Sequence, residues 1–314
     1  MKKIPVVFNL DERIFIPLVV FISSMIRHSK ESTYYDIYIL CNEKGFTKQK
    51  REELISLFNG RKITITFVDV TIDLSYIHRV NRFTESSYYR LFAYKILPYI
   101  DKILYLDVDA VCQIDFSDLF DIDLGTNYIA GVKSCYDLRT CAHKNELGAD
   151  SLTYVNAGVM LLNLKQMRDG LFEQQVERCM KTIYPDLDQD IINICSKDKT
   201  LNLPLKYNYT SDLYKAARES NFSFVNVINE VQIIEADKSA FIHYSGAKPW
   251  NGNCLRDDIW WEEYRNCPIY NDDYYYKKAT EKKGLDTYAI KDLITYTILR
   301  IKDRVRTKVL KLKN

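Results

Sequence analysis

Short runs of apolar and β-branched residues alternate along the chain with longer stretches whose apolar positions recur at helical spacing. The runs IPVVF (4–8), YDIYILC (35–41) and KITITFVDV (62–70) predict strands, because Val, Ile, Phe and Tyr suit a pleated, half-buried surface. Residues 14–28 are apolar nearly all round and predict a buried helix. TKQKREELISLFNG (47–60) predicts a second helix, capped by Thr47 and stopped at Asn59-Gly60. A third helix is expected over TESSYYRLFAYKILPYI (84–100), followed by a strand in KILYLDVDAVC (102–112). Strand and helix in alternation predict an α/β fold with a mainly parallel, doubly wound central sheet and flanking helices.

Composition narrows the function classes. With 314 residues, 47% of them hydrophobic and 13% aromatic, the chain can bury one large domain or a domain with an appendage, and disorder is excluded. A formal net charge of +2 supplies no field for nucleic acid, so any electrostatic recognition must be local. Eight cysteines without a CxxC pair predict reduced, mostly buried thiols and a cytoplasmic protein. LDER (10–13) breaks the apolar N-terminal run with three charges, so no signal peptide is expected. The following IFIPLVVFISSMI (14–26) is too short to span a bilayer.

Candidate chemistry begins where the fourth strand ends, at Asp107 and Asp109. Side chains two apart in a strand share a face, and ligands of open α/β sheets bind beyond the carboxyl ends of the strands. Asp11, after the first strand, is expected at the same edge. The pair could cap the following turn, DFSDLF (115–120). The sharper reading is that it holds Mg²⁺ or Mn²⁺, which bind through one or two carboxylates while a substrate phosphate completes the shell. A carboxylate about 4 Å from a phosphate oxygen repels it by roughly 4 kcal/mol at an effective dielectric near 20, so a pair facing a phosphate needs a cation. The local motif also fits a metal-dependent phosphatase of the haloacid dehalogenase type, although such enzymes usually carry it near the N-terminus.

Other stretches add to the choice. YVNAGVMLLNL (154–164) reads as a buried strand opened by Asn156-Ala157-Gly158, a bulge or a close backbone approach. DLDQDIIN (186–193) reads as a helix start whose acids suit the macrodipole, so Asp188 could serve as a cap. FIHYSGAKPW (241–250) puts His243 at another strand end; alone it reads as an ordinary core or surface histidine, and Lys248 as a solvated lysine. Beside two carboxylates, however, an imidazole nitrogen suits Mn²⁺ better than oxygen-seeking Mg²⁺ or Ca²⁺.

Taken in order with SSYYRLFAYKILP (86–98) and ILYLDVDAVC (103–112), these motifs resemble glycosyltransferase family 8, the lipopolysaccharide galactosyl- and glucosyltransferase and glycogenin type. The resemblance runs from Val6 to about Trp250. It implies a GT-A fold, with transfer of a hexose from UDP-glucose or UDP-galactose to a glycan or glycolipid hydroxyl, anomeric configuration retained. It further implies that Asp107, Asp109 and His243 hold Mn²⁺, or Mg²⁺ in its place. By the same resemblance Asp11 meets the uracil, Arg90 and Asn156 meet the donor, Gly246 and Lys248 meet the diphosphate, and Asp188 meets hydroxyls of the transferred hexose. Gln189 would lie near the anomeric carbon. An amide is a poor nucleophile, which favours front-face attack by the acceptor hydroxyl, although a covalent intermediate stays open. In this chain a single residue, Ala247, separates Gly246 from Lys248, where the family usually has two. A phosphatase and a non-catalytic UDP-sugar binder are the alternatives.

The C-terminal segment changes character. Residues 1–250 read as the transferase domain and 251–314 as a helical extension. In the latter Ile294, Ile298, Ile301, Val305, Val309 and Leu312 fall at helical spacing among basic residues. From Ile298 onward the net charge is +6, leaving −4 for the rest. This predicts either a basic amphipathic helix on an anionic membrane surface, holding the enzyme at the inner face, or a helix docked on the body.

Overall fold

The computed structural model describes every residue except 11, 43–44, 73–84, 135–137, 212–238, 253, 255 and 282–314. Asp11 and the basic C-terminal helix expected over 290–314 therefore lie outside the described residues.

Four strands lie side by side in parallel: β1 (Lys2–Asn9), β2 (Thr33–Cys41), β3 (Ile63–Asp69) and β4 (Lys102–Leu106), paired β1 with β2, β2 with β3, and β1 with β4. Beyond β4 the direction reverses. The strand β7 (Val155–Asn163) runs antiparallel to β4 and to β6 (Ile129–Lys133), and β6 pairs in parallel with β8 (Thr200–Asn202). The order across the seven-stranded sheet is β3-β2-β1-β4-β7-β6-β8. A smaller sheet, β5-β10-β9, is built from β5 (Ala110–Cys112), β9 (Tyr209–Thr210) and β10 (Phe241–His243).

Burial explains the apolar runs. Val6, Val7 and Phe8 of β1 have no exposure, as a central strand covered on both faces requires. Helix α1 (Phe15–His28) is apolar nearly all round because it is sandwiched. Leu18, Phe21 and Ile22 join the core of the large sheet, while Val20 packs with Val111, Ile242 and Trp260 on the other side. Within it Ser24 Oγ donates to Phe21 O (2.7 Å) and accepts from the Cys112 N–H (2.9 Å), so the hydroxyl satisfies an amide of β5. Helix α2 (Lys48–Leu57) begins as expected, with Thr47 Oγ1 accepting from the Lys50 N–H.

Two local expectations are corrected. The helix expected over 84–100 is a 3₁₀ helix at Glu85–Phe92 followed by only four α-helical residues, α3 (Ala93–Ile96). Pro98 ends it, because its ring disfavours helical geometry at Leu97. Three residues per turn stack Arg90 over Ser87, whose carbonyl accepts from Arg90 Nε at 3.1 Å. The strand expected through 102–112 also breaks: β4 stops at Leu106 and β5 starts at Ala110. Asp107 and Asp109 therefore sit in a bend between two sheets, not on one face of one strand.

The chain after residue 250 continues into α8 (Asp257–Arg265) and α9 (Asp272–Glu281). Buried Glu263 on α8 accepts from Arg27 Nε (3.0 Å) and lies 3.0 Å from His28 Nε2, both on α1. The seven described cysteines are free thiols, and no described helix is long and apolar enough to cross a membrane.

Candidate active site and metal centre

The reversal at β7 assembles the site. Because β7 is antiparallel to β4, its N-terminal end lies at the same sheet edge as the C-terminal end of β4, with Leu106 opposite Val159. The Asp107 N–H donates to Gly158 O at 2.7 Å. The small sheet delivers the third group: β10 is antiparallel to β5 with His243 opposite Ala110, and the Tyr244 N–H donates to Asp109 O at 2.8 Å. Ligand atoms of Asp107, Asp109 and His243 consequently lie within 4.8 Å of one another, the only such cluster of three among the described residues. A Cβ on Gly158 would overlap the His243 ring and stand 2.9 Å from Asp107 Oδ2. Glycine there is a requirement of close approach, not of backbone strain.

Arg90 and Lys248 hold the carboxylates. Asp107 Oδ1 accepts from Arg90 Nη2 (3.0 Å) and from the Tyr105 hydroxyl (2.6 Å). Arg90 is buried; its Nη1 donates to Ala157 O (2.7 Å), its Nε lies 2.9 Å from Asp188 Oδ2, and its guanidinium stands 4.4 Å above the Tyr105 ring. The arginine thus clamps Asp107 and Asp188 together. Burial lifts the Asp188 carboxyl, Arg90 opposes and Asp107 adds to the lift, leaving it at about 6. For Asp109, burial again pushes upward, but His243 and Lys248 outweigh it and hold the group well below the usual carboxylate range. Asp109 Oδ2 forms an ion pair with Lys248 Nζ, which also donates to Tyr244 O at 2.6 Å.

The donor set fits a divalent cation. Two carboxylates and one imidazole converge, and Asp109 Oδ1, buried and 3.1 Å from His243 Nε2, makes no hydrogen bond of acceptable direction with the described residues. A cation bound between the three groups would satisfy that oxygen.

On the other side of Arg90, α7 (Leu187–Cys195) supplies Asp188 and Gln189. No side chain caps the helix at Asp186; Asp190 is held instead, its Oδ2 accepting from the Asp186 N–H (2.8 Å) and its Oδ1 from buried Lys144 Nζ (2.7 Å) and the Tyr154 hydroxyl (2.6 Å). Asp188 is buried against Arg90. Gln189 Oε1 accepts from the Ala157 N–H (3.0 Å) and from Asn156 Nδ2 (3.2 Å). Asn156 Oδ1 accepts from the Gly158 N–H (2.9 Å) and from Asn208 Nδ2 (2.8 Å), and Asn208 Oδ1 lies 3.0 Å from His243 Nδ1.

The structure brings Arg90, Asp107, Asp109, Asn156, Asp188, Gln189, His243 and Lys248 to one edge. Gly246 sits in the exposed turn between His243 and Lys248, where an added Cβ would meet nothing within 4 Å. Tyr105 and Asn208 were not legible as site residues: one reads as a strand tyrosine, and the other stands in KYNYT (206–210) with no neighbouring acid or glycine to mark it. Only the polar Asn208 directly ahead of a buried tyrosine hints at an internal hydrogen bond.

Comparison with known proteins identifies the family and the fold. The family described as Glycosyl transferase family 8 matches residues 5–254. A lipopolysaccharide 1,2-glucosyltransferase of Escherichia coli is 29% identical over 226 residues, 69% of this chain and 64% of that protein. Glycosyltransferase GlyE of Streptococcus pneumoniae is 32% identical over 171 residues, 52% of this chain and 37% of its own length. The match thus spans less than two thirds of either relative. Among solved structures, the galactosyltransferase LgtC in complex with donor and acceptor sugar analogues superposes with a TM-score of 0.62 at 22% identity, covering 92% of this chain and 100% of that one. The bifunctional glycosyltransferase WbbM superposes with a TM-score of 0.70 at 23% identity, over 90% of this chain and 52% of that one. The fold is GT-A, as the sequence motifs imply.

Proposed function

The chain belongs to glycosyltransferase family 8, and from that premise we propose that it moves a hexose, glucose or galactose, from UDP to a hydroxyl of a lipopolysaccharide or another cell-surface glycan, with retention at the anomeric carbon. The observation that carries the reading is the convergence of Asp107, Asp109 and His243 beside Lys248, opposite Asp188 and Gln189. Family membership favours transfer over the phosphatase alternative. So does the state of Asp107, whose Oδ1 is held by Arg90 and Tyr105 and is poorly placed to act as a nucleophile.

Asp107, Asp109 and His243 would hold Mn²⁺, or Mg²⁺ in its place. When bound, that ion supplies Lewis-acid stabilisation of the charge that builds on the diphosphate as the sugar leaves. Lys248, on the turn after β10, is a flexible ammonium that can move from Asp109 to the diphosphate and add a second positive charge. Gly246 has no steric reason within the chain to be glycine, which fits a close backbone approach to that diphosphate. Asp188, fixed by Arg90, accepts from hexose hydroxyls, and Asn156 offers its amide on the same side. Gln189 lacks the nucleophilicity of a carboxylate, so the acceptor hydroxyl attacks from the face the UDP leaves, and the departing phosphate oxygen takes its proton.

A panel of UDP-sugars with Mn²⁺, read by UDP release with and without glycan acceptors, tests this reading. UDP release from one UDP-hexose, raised by acceptor, is the expected result. Hydrolysis of phosphomonoesters without sugar-nucleotide turnover would favour the phosphatase, and binding of UDP with neither transfer nor hydrolysis would favour a non-catalytic binder. Residues 1–250 are assigned to this transferase unit and 251–314 to an extension whose basic end holds the enzyme at an anionic membrane face near a glycolipid acceptor.

A further inference from the structure

We propose that Asn208 is a positioning residue: it fixes which nitrogen of His243 faces the metal and joins that choice to the donor-sugar side of the cleft through Asn156. The proposal rests on the metal-site reading above.

The hydrogen-bond directions follow from the backbone. The Gly158 amide can only donate, so the Asn156 atom 2.9 Å away must be its oxygen. That oxygen also faces Asn208 at 2.8 Å, so Asn208 must present its NH₂ there. Its other terminal atom is then an oxygen, aimed at His243 Nδ1 at 3.0 Å, and Nδ1 must carry a proton. Nε2 is left as the nitrogen beside Asp109. A second backbone donor agrees: the Ala157 N–H fixes Gln189 Oε1, which takes the Asn156 amide protons on the other side. Two consecutive amides at the start of β7 thus orient Asn156, Asn208, His243 and Gln189.

Burial makes the arrangement strict. Asn208 has no exposure and His243 only 3%, so water does not compete for Nδ1. An imidazole protonated at Nε2 and bare at Nδ1 would offer the metal an N–H where it needs a lone pair, and would face Asn208 oxygen with a second acceptor. The same side chain restrains Asn156, so a change at Asn208 reaches the sugar side of the cleft as well as the metal.

The test compares the full chain with Asn208→Leu, which removes both contacts, and Asn208→Asp, which keeps an acceptor for His243 but cannot donate to Asn156. Affinity for Mn²⁺ alone is read by electron paramagnetic resonance, UDP-hexose against UDP by calorimetry, and the His243 tautomer by ¹⁵N NMR. Asn208→Leu is expected to weaken Mn²⁺ binding about 10- to 100-fold, the usual loss when a ligand histidine loses its outer partner, and to lose the Nδ1–H signature. Asn208→Asp is expected to keep Mn²⁺ affinity while losing the preference for UDP-hexose over UDP. A folded Asn208→Leu with wild-type Mn²⁺ affinity overturns the proposal. So does an Asn208→Asp chain that loses Mn²⁺ affinity, which decides the matter even if the leucine variant does not fold. If the unaltered chain binds no Mn²⁺, the metal reading fails instead, and the His243 tautomer in the variants still decides the role of Asn208.

Discussion

Gly158 on β7 and His243 on β10 are packed so closely that a single methyl group on Gly158 would overlap the imidazole and stand 2.9 Å from its Nδ1. Two sheets meet at this contact. Asp107 follows the last residue of β4 in the large one, the small one supplies His243, and the missing side chain lets their ligand atoms come together.

Gly158→Ala should therefore disable the metal centre while leaving the rest of the sheet intact. Either His243 or Asp107 must shift, and overpacking of this kind costs about 1–3 kcal/mol. We expect Mn²⁺ affinity to fall at least about 10-fold, on the scale of losing an outer-sphere contact, with a lower melting temperature and an unchanged far-ultraviolet spectrum. Unaltered Mn²⁺ affinity would show that the contact can relax without disturbing the ligands.

Asp109→Ala removes the carboxylate that faces both His243 and Lys248. Mn²⁺-supported UDP binding is expected to disappear in titration calorimetry. Retention of that binding would sink the metal site as assigned.

Asp188 makes a pH-dependent prediction. Its carboxyl stands at about 6 in the folded chain, above its ordinary value. A raised carboxylate contributes stability below its unfolded pKa near 3.9, and that contribution is lost as pH rises through 6, amounting to about 3 kcal/mol by neutral pH. Asp188→Asn should escape the loss, so urea unfolding between pH 4 and 7 is expected to favour the variant progressively. Sugar transfer by the variant should fall. A pH-independent difference between the two proteins would mean that Arg90 neutralises Asp188 completely.

Removal of residues 291–314 is expected to abolish binding to vesicles containing anionic lipid while leaving slow hydrolysis of the donor in place. The segment holds most of the basic residues that give the chain its C-terminal excess of positive charge. Equal sedimentation of the truncated and full chains with such vesicles would remove the membrane role.

Much of the fold was legible because burial writes itself into composition. The apolar runs of β1, β2 and β3, the all-round apolar α1 and the Thr47 cap each follow from local rules that the structure obeys. The helix expected over 84–100 was not legible in its detail. Arg90 must reach Asp107, Asp188 and Ala157 at once, and these partners lie 17 to 98 residues away in sequence, where no local propensity registers them. Asp188 carried a similar ambiguity. Acids in a first helical turn read alike until the fold sets Asp190 against Lys144 and Tyr154 and leaves Asp188 against Arg90.

The sequence by itself determined the α/β alternation, the family motifs and the residue types able to hold a cation, since these depend on short spacings and on side-chain chemistry. The tertiary structure alone decided that Asp107 and Asp109 occupy a bend between two sheets, that β7 reverses so Asn156 and Gly158 reach the same edge, and that Asn208 meets His243. The physical reason is that periodicity reports which face of an element is buried. Strand direction, and the partner each buried polar atom finds, come from contacts between segments far apart in the chain.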